Sequence, residues 1–196
     1  MTIRTIKQNA EIKVSNTANL PTSFGTFNIQ SFQEGYKEHL VVSSKEMTEI
    51  PTIRIHSECL TGDAFGSLKC DCGEQLDYSL KTIFEEKGMV IYLRQEGRDI
   101  GLFNKVNAYA LQDQGYDTIQ ANHQLGFKAD ERSYQVVEFI LSYYNIKKIN
   151  LLTNNPKKIN SIKGVDIIKR LPIIISSNKY NAEYLKTKKE QMGHLL

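Results

Sequence analysis

Residues 54–75 read Arg54-Ile-His-Ser-Glu-Cys-Leu-Thr-Gly-Asp-Ala-Phe-Gly-Ser-Leu-Lys-Cys-Asp-Cys-Gly-Glu-Gln75, and the character of the chain changes twice within them. The β-branched residues at the start predict a strand at Thr52–His56, and Gly62–Gly73 is typical of a loop. From Glu74 the apolar residues recur at helical spacing, and Gly88 ends that pattern. The sequence therefore predicts a loop at the end of a strand, where folds of this kind place functional residues.

All three cysteines of the chain, Cys59, Cys70 and Cys72, lie in this stretch. Three soft thiolates suit a tetrahedral Zn²⁺, and the lack of a fourth cysteine is typical of catalytic zinc, which keeps one position for water or substrate. The spacing also differs from the Cys-x2-Cys of zinc ribbons. Three alternatives stay open: buried free thiols, one disulfide with a spare cysteine, and a four-ligand zinc completed by His56. The disulfide is disfavoured because the N-terminus does not resemble a secretory signal.

The composition is that of an ordinary globular protein, with 196 residues, 40% hydrophobic and 24% charged. This length suits one sizeable domain. No apolar run approaches the roughly 20 residues that a membrane span requires. A net charge of +3 is too small to indicate a nucleic-acid-binding protein. We therefore expect a cytoplasmic protein without a membrane or nucleic-acid partner.

Outward from the cysteines, β-rich runs come first, and strands then alternate with helices. The predicted strands are Thr26–Phe32, His39–Ser43, Met89–Leu93, Lys148–Leu152 and Pro172–Ser176, and the predicted helices are Ile100–Gln112, Glu131–Tyr144, one that starts near Pro156 and one at the C-terminus. This order predicts an α/β fold with a mixed β-sheet covered by helices. In the C-terminal helix, the lysines of Lys186–Lys189 are expected to form a solvated face.

Two further loops have the composition of anion sites. Arg94-Gln-Glu-Gly-Arg98 follows a predicted strand and precedes a helix, so an arginine there can grip phosphate beside the helix N-terminus. The alternative is a polar turn with a surface salt bridge. Thr153–Lys158 combines a hydroxyl, amides and lysines at another helix start. The chain has no Gly-x4-Gly-Lys-Ser/Thr motif, which excludes a P-loop nucleotide binder.

Taken together, these stretches resemble the GTP cyclohydrolase II family. The matching segments are Arg54–Asp63, Cys70–Gly73, Arg94–Arg98, Ile100–Leu102, Asn104–Lys105, Ala108–Asp113, Gly115–Thr118, Asp130–Arg132, Leu151–Lys158 and Met192–His194. The resemblance runs from about Leu20 to the end. It implies a single catalytic domain at 20–196, after an N-terminal segment at 1–19 that is expected to be flexible. One departure is Asp99, which stands where Gly or Asn is usual.

The resemblance implies a hydrolase that acts on cyclic amidine C–N bonds. It would open the imidazole ring of GTP and release formate and pyrophosphate, giving 2,5-diamino-6-(5-phospho-D-ribosylamino)pyrimidin-4(3H)-one in the first step of riboflavin biosynthesis. One Zn²⁺ per subunit is implied on Cys59, Cys70 and Cys72 with water as fourth ligand, together with Mg²⁺ on the triphosphate and a homodimer. Zinc can lower the pKa of a bound water from ~15.7 toward ~7.

The resemblance also assigns roles to individual residues. GTP binding falls to Arg54, Ile55, His56, Ser57, Glu58, Gln75, Glu96, Gly97, Arg98, Thr118, Thr153 and Lys158, and catalysis to Asp130, Arg132 and Tyr109. Family proposals make Arg132 a covalent nucleophile and Asp130 its proton acceptor. The chemistry of arginine supports an alternative in which Arg132 only stabilises charge on the α-phosphate.

Two other functions stay open. One is a zinc-bearing relative that opens the ring without releasing formate or pyrophosphate. Tyr109 favours the full reaction, because relatives that lack it stop at the formylated intermediate. The other is a non-catalytic zinc module that binds nucleic acid, against which the open fourth ligand and the acidic residues Glu58, Glu96 and Asp130 argue.

Overall fold

A computed structural model describes residues 2–5, as backbone only, and residues 11–195. The chain forms two compact units, each assembled from separate chain segments. The sheet unit comprises Met1–His56, Asp77–Arg94 and Tyr134–Ile173. The thiol unit, named for its three cysteines, comprises Ser57–Leu76, Gln95–Ser133 and Ile174–Leu196.

In the described part of the chain, nine strands form one sheet. They are β1 (Thr2–Thr5), β2 (Glu11–Val14), β3 (Ala18–Thr22), β4 (Gly25–Glu34), β5 (Lys37–Ser43), β6 (Thr52–Ser57), β7 (Met89–Leu93), β8 (Lys148–Leu152) and β9 (Asp166–Leu171). Their order is β1-β2-β4-β5-β7-β6-β8-β9, with β3 also paired to β4. The strands β1 to β5 pair antiparallel, whereas β8 runs parallel to both β6 and β9. The predicted mixed sheet is confirmed.

The sheet unit is held by an apolar core between the sheet and a helix. From the central strands, Ile53, Ile91 and Ile149 are completely buried. Helix α6 (Gln135–Tyr143) turns Ile140 and Leu141 into the same cluster. Burying such side chains contributes roughly 1.5–3 kcal/mol each, so this cluster accounts for much of the unit's stability.

The remaining helices are short, and most belong to the thiol unit. They are α1 (Leu60–Asp63), α2 (Cys72–Glu85), α3 (Glu96–Asp99), α4 (Gly101–Gln112), α5 (Thr118–Gln124), α7 (Pro156–Ser161) and α8 (Ala182–Glu190). Prolines and caps fix some of the boundaries: Pro156 opens α7, and Asp117 caps α5 through a capping box with Gln120. None of the described helices combines the length and apolar character that a membrane span needs.

Several predicted elements match the structure and two do not. The bounds of β7 and β8 are those predicted. The predicted helix Glu131–Tyr144 begins only at Gln135, because the Glu131 amide donates to the Arg98 carbonyl and the Ser133 carbonyl accepts from the Gln95 amide. The predicted strand Pro172–Ser176 is wrong. The strand is β9, and it ends before Pro172, which has no N–H to donate to a ladder.

The described part of the N-terminal segment forms strands. β2 pairs with β4 through Ile12–Val14, and β3 pairs with β4 along Ala18–Thr22. The expected flexibility of residues 1–19 falls partly on residues 1 and 6–10, which lie outside the described residues. A catalytic domain that begins at residue 20 stays a prediction.

Candidate active site

The three cysteines lie together in the thiol unit, and each is a free thiol. Their sulfurs are all within 4.8 Å of one another, and the Sγ atoms of Cys59 and Cys70 are 3.6 Å apart. Sulfurs bound tetrahedrally to one zinc at ~2.3 Å would lie about 3.8 Å apart, so the donor set fits this ion. Because no two of the sulfurs are bonded, the disulfide alternative is excluded. Among the described residues, the group able to hold a metal consists of these three thiols.

Two glycines allow residues 59–73, here called the thiol loop, to close around the three sulfurs. A Cβ at Gly62 would lie 2.8 Å from the Cys70 sulfur and 3.2 Å from the Cys59 sulfur, and a Cβ at Gly73 would lie 2.4 Å from the Gly62 carbonyl oxygen. The single turn of α1 directly follows Cys59, whose amide donates to the Asp63 carboxylate at 2.9 Å. The thiols are thus brought together by close backbone packing that tolerates no side chain at Gly62.

The three thiols lie close enough to shift one another's pKa values. The contact with Cys70 lowers the pKa of Cys59, and Cys72 and Lys105 act in the same direction against the effect of burial. The contact with Cys59 raises the pKa of Cys70 to about 11. The contacts of Cys72 with Cys59 and Cys70, together with burial, raise the pKa of Cys72 well above that of an ordinary thiol. The nearby Lys105 ammonium therefore favours the thiolate form of Cys59.

A buried lysine lies directly against the Cys59 sulfur. Lys105 Nζ donates to the Cys59 sulfur at 3.1 Å and to Glu96 Oε1 at 2.7 Å. Burial lowers the pKa of Lys105, but the Cys59 charge and the Glu96 hydrogen bond outweigh burial and raise it above the ordinary value. Glu96 also accepts from the amides of Leu60 at 2.6 Å and Gly97 at 2.8 Å. Glu96 Oε2 thus bonds to the thiol loop at Leu60, and Oε1 bonds to Lys105 and Gly97.

Tyr109 reaches the same loop through a hydroxyl. Its phenol oxygen is 3.3 Å from Thr61 Oγ1, which is 3.7 Å from the Cys59 sulfur. Burial raises the pKa of Tyr109, so the phenol keeps its proton at neutral pH. The predicted catalytic tyrosine is therefore a protonated group near the thiols.

The turn between the other two cysteines is held by an ion pair. The Asp71 carboxylate accepts from Lys188 Nζ at 2.8 Å, with the two side chains only 2% and 12% exposed. Its second oxygen accepts from the Gln75 amide at 2.5 Å. The expectation of a solvated face for Lys186–Lys189 is wrong at Lys188, because a carboxylate from another part of the chain draws this lysine inward.

The predicted catalytic residues Asp130 and Arg132 form a bidentate salt bridge. Arg132 Nε donates to Asp130 Oδ1 at 2.8 Å, and Arg132 Nη2 donates to Asp130 Oδ2 at 2.9 Å. Nη1 donates to the Ser57 hydroxyl at 3.4 Å. The side chains of Arg132 and Asp130 are largely buried, at 11% and 4% exposure. The guanidinium is held in one orientation by its partner carboxylate.

The loop that carries Arg98 has an unusual backbone. Gly97, Arg98 and Asp99 have φ values of 62°, 64° and 76°, all in the left-handed region. Residues other than glycine, asparagine and aspartate rarely adopt this backbone conformation. Arg98 donates to the Ala129 carbonyl at 3.0 Å, and its own carbonyl accepts from the Glu131 amide. The loop is thereby tied to the segment that holds Asp130 and Arg132.

The other residues predicted to bind GTP divide between the units. In the sheet unit, Arg54 donates to the Leu152 carbonyl at 3.1 Å, and Lys158 donates to the Ile55 carbonyl at 2.7 Å. Thr153 lies between β8 and α7, and the His56 ring stacks on Tyr92 with ring centroids 5.4 Å apart. In the thiol unit, Glu58 is partly exposed, and Thr118 is the first residue of α5.

Three residues of the site, Lys105, Asp71 and Lys188, carry roles that sequence reasoning missed. Lys105 and Asp71 lie within segments that match the family, but a lysine or aspartate in a polar stretch has no local sign of burial. Each acts through a partner far along the chain: Lys105 and Cys59 are 46 residues apart, and Lys188 and Asp71 are 117 apart.

Comparison with known proteins places the chain among its relatives. A family model described as GTP cyclohydrolase II matches residues 13–172. The GTP cyclohydrolase-2 of Campylobacter hominis is 64% identical over 185 residues, covering 94% of this chain and 96% of that protein. The GTP cyclohydrolase-2 of Campylobacter fetus subsp. fetus is 65% identical over 189 residues, covering 95% and 97%. That of Sulfurospirillum multivorans is 73% identical over 141 residues, covering 72% and 100%.

One solved structure shows a more distant likeness. It is a two-domain 3,4-dihydroxy-2-butanone 4-phosphate synthase from A. baumannii, with a TM-score of 0.48 and 15% identity, covering 87% of this chain and 42% of that chain. The family model covers most of the present chain, and the Campylobacter relatives align along nearly all of it. The chain therefore belongs to the GTP cyclohydrolase II family.

Proposed function

We propose that Cys59, Cys70 and Cys72 hold a zinc ion with which this chain, as a member of the GTP cyclohydrolase II family, opens the imidazole ring of GTP in riboflavin biosynthesis. The observation that carries the proposal is the cluster of three sulfurs within 4.8 Å of one another. When bound, zinc supplies Lewis acidity and lowers the pKa of water toward ~7. Three protein ligands leave the fourth tetrahedral position to water or substrate, as in catalytic rather than structural sites.

Tyr109 is proposed to act as a proton donor or hydrogen-bond donor beside the thiols. Its phenol is protonated at neutral pH and is anchored through Thr61, 3.3 Å away. A phenol in that state can donate a proton to a leaving nitrogen or hydrogen-bond to a developing oxyanion. We expect Tyr109→Phe to accumulate the formylated ring-opened intermediate, and release of free formate at the wild-type rate would contradict this role.

Arg132 is proposed to stabilise charge on the α-phosphate while pyrophosphate leaves. Its contacts with Asp130 at 2.8 and 2.9 Å favour the protonated guanidinium, which is a good electrostatic partner and a poor nucleophile. The covalent alternative needs that guanidinium to lose a proton, which Asp130 would accept. Arg132→Lys separates the two. Retained pyrophosphate release supports charge stabilisation, whereas trapping of a phosphoguanidine adduct in the wild type supports the covalent route.

The residues assigned to GTP by the resemblance are proposed as substrate ligands. They are Arg54, Ile55, His56, Thr153 and Lys158 of the sheet unit and Ser57, Glu58, Gln75, Glu96, Gly97, Arg98 and Thr118 of the thiol unit. Cationic side chains suit the phosphates, whereas carboxylates and amides suit the N1–H and amino edge of guanine. A site that hydrogen-bonds this edge should reject ATP strongly, because its polar groups would stay unpaired.

The remaining parts of the proposal concern partners and location. Mg²⁺ is expected to bridge the triphosphate and stabilise the leaving pyrophosphate. A homodimer in the cytoplasm is expected from the family resemblance, with one zinc per subunit and no nucleic-acid or membrane partner. Product formation with and without Mg²⁺ tests the first expectation, and the mass in solution tests the second.

Mass spectrometry of the products from GTP, Zn²⁺ and Mg²⁺ tests the whole proposal, with a Cys70→Ser variant beside the wild type. We expect formate, pyrophosphate and the diaminopyrimidine from the wild type and an intact imidazole ring from the variant. A variant that opens the ring as fast as the wild type would refute the role of the thiols. Ring opening without formate release would indicate the shorter reaction of the alternative relative.

A further inference from the structure

Helix α8 places a lysine against the turn that carries two of the thiols. Lys188 Nζ lies 2.8 Å from Asp71 Oδ1, and neither side chain is more than 12% exposed. On the same face of α8, one turn earlier, the Tyr184 ring lies 4.3 Å from Lys188 Nζ. The ammonium is therefore fixed by an aromatic face on one side and a carboxylate on the other.

Asp71 is the residue between Cys70 and Cys72, so whatever holds its carboxylate also holds the turn. Oδ1 accepts from Lys188, and Oδ2 accepts from Gln75 in the first turns of α2. The Asp71 carbonyl also accepts from the Gln75 amide N–H at 3.0 Å. Two helices thus restrain one short turn, through the two oxygens of a single side chain.

The positive charge of Lys188 also offsets the negative charge of the buried Asp71 carboxylate. Asp71 is only 1% exposed and lies next to sulfurs that become thiolates when they bind a metal. A buried carboxylate beside thiolates is strongly unfavourable unless a cation offsets it. In the thiol unit, Lys105 contacts Cys59 and Lys188 contacts Asp71, so each end of the thiol loop has its own buried ammonium.

We propose that Lys188 is a positioning residue of the metal site, which fixes the Cys70–Asp71–Cys72 turn through Asp71 and makes α8 part of the site. This inference rests on the proposed zinc function of the thiols. It goes beyond the family match, which covers residues 13–172 and does not include α8. It implies that metal affinity depends on a helix that provides no ligand.

The test compares the Zn²⁺ affinity of full-length variants by competition with a chromophoric chelator. Lys188→Met keeps the length of the side chain and removes its charge, and we expect affinity to fall roughly 10–100-fold, as for other residues that orient metal ligands. Lys188→Arg, which keeps the charge, should stay within a few-fold of the wild type. Lys189→Met is the matched control. Lys189 is the next residue on α8 and its side chain is exposed, so this substitution should leave the Zn²⁺ affinity unchanged.

Two further measurements separate positioning from general stability. Lys188→Met should shift the thiolate-to-metal charge-transfer band of the Co²⁺-substituted protein, whereas Lys189→Met should not. In a double-variant cycle with Asp71→Asn, the combined loss of affinity should be well below the sum of the single losses, because both substitutions break one contact. If Lys188→Met does not fold, Asp71→Asn and Lys188→Arg provide the same comparison.

The possible results distinguish a wrong role for Lys188 from a wrong metal site. Equal Zn²⁺ affinity of Lys188→Met and Lys189→Met, or fully additive losses with Asp71→Asn, would overturn the role of Lys188 while the wild type still binds zinc. Failure of the wild type itself to bind zinc would overturn the metal site first. The two failures are therefore distinguishable.

Discussion

At the scale of single residues, the consequence of burial is visible in two ion pairs of equal length. Lys105–Glu96 and Lys69–Asp113 both have Nζ–O distances of 2.7 Å. The side chains of the first pair are 10% and 8% exposed, and those of the second are 43% and 69% exposed. Water screens the second pair and not the first.

We predict that Lys105→Met lowers the free energy of unfolding by about 3 kcal/mol, because it leaves Glu96 charged and buried without its cation. Lys69→Met, the matched control, should cost less than about 1 kcal/mol. Urea denaturation in the presence of a chelator measures both losses without a contribution from the metal. Equal losses in the two variants would show that burial does not separate the pairs.

A second prediction concerns Asp99. Its φ of 76° lies in the left-handed region, which glycine adopts without strain and alanine does not. We predict that Asp99→Gly is more stable than Asp99→Ala by about 1 kcal/mol. At the exposed helical residue Asp77 of α2, the same two substitutions should rank in the opposite order. Thermal or urea denaturation of the four variants gives the ranking, and the same order at both positions would contradict the backbone explanation.

At the scale of elements, the thiol loop is shaped by the turn α1. Gly62 lies in this turn, and its missing Cβ leaves room for the sulfurs of Cys59 and Cys70. A methyl group at this position must displace a cysteine side chain.

We predict that Gly62→Ala weakens Zn²⁺ binding roughly tenfold or more, the scale of disturbances next to metal ligands. Gly66→Ala is the matched control in the same loop. Gly66 has a φ of 64°, and a Cβ added there would have no neighbouring atom within 4 Å, so alanine strains the backbone without touching a sulfur. The control should lose stability and keep its metal affinity. Chelator competition measures the affinity, and equal losses would show that loop strain rather than the clash controls binding.

Secondary structure was predictable from the sequence wherever local residues determine it. Met89–Leu93 is a short apolar run, Lys148–Leu152 has apolar residues at three of its five positions, and both strands have the predicted bounds. The start of α6 was not predictable, because the backbone of Glu131 and Ser133 bonds to Arg98 and Gln95 instead of continuing a helix. Strand β9 was missed because it has no apolar run and most of its side chains are exposed. It forms at the edge of the sheet, where it pairs with β8. Both errors involve hydrogen-bond partners elsewhere in the chain.

At the scale of the whole molecule, the apolar core cluster of the described residues lies in the sheet unit. The sheet unit encloses an apolar cluster that includes Phe32, Val41 and Ile140. In the thiol unit, the buried set includes the charged side chains of Asp71, Glu96 and Lys105. An apolar cluster is stable without a ligand, whereas a unit built around thiols and charges gains stability from whatever cation binds there.

We therefore predict that removal of zinc loosens one unit. Hydrogen–deuterium exchange after chelation should rise in Ser57–Leu76 and Gln95–Ser133 and stay unchanged in β4, β5 and β8. The Cys70→Ser variant, which is expected to bind little zinc, should show no further change when the chelator is added. A uniform rise across the chain would indicate that the metal supports the whole fold.

The candidate site was predictable from the sequence only in part. The three cysteines were predicted as metal ligands because their residue type and spacing suit zinc, whereas Asp130 and Arg132 were assigned by the family resemblance alone. Lys105, Asp71 and Lys188 were missed because their roles exist only once the chain has folded, when residues as far as 117 positions apart meet. Lysine in an amphipathic segment predicts exposure, and nothing local distinguishes the lysine that a buried carboxylate will draw inward.

The paired burial of Glu96 and Lys105 also restricts how this protein can evolve. Loss of either charge alone passes through a variant that carries an uncompensated buried ion, so single-step replacement is disfavoured. Simultaneous replacement of both by apolar residues avoids that barrier for folding but removes the ammonium beside Cys59. Related sequences should therefore keep both residues or change both together. Where both are lost, ring-opening activity should be lost with them.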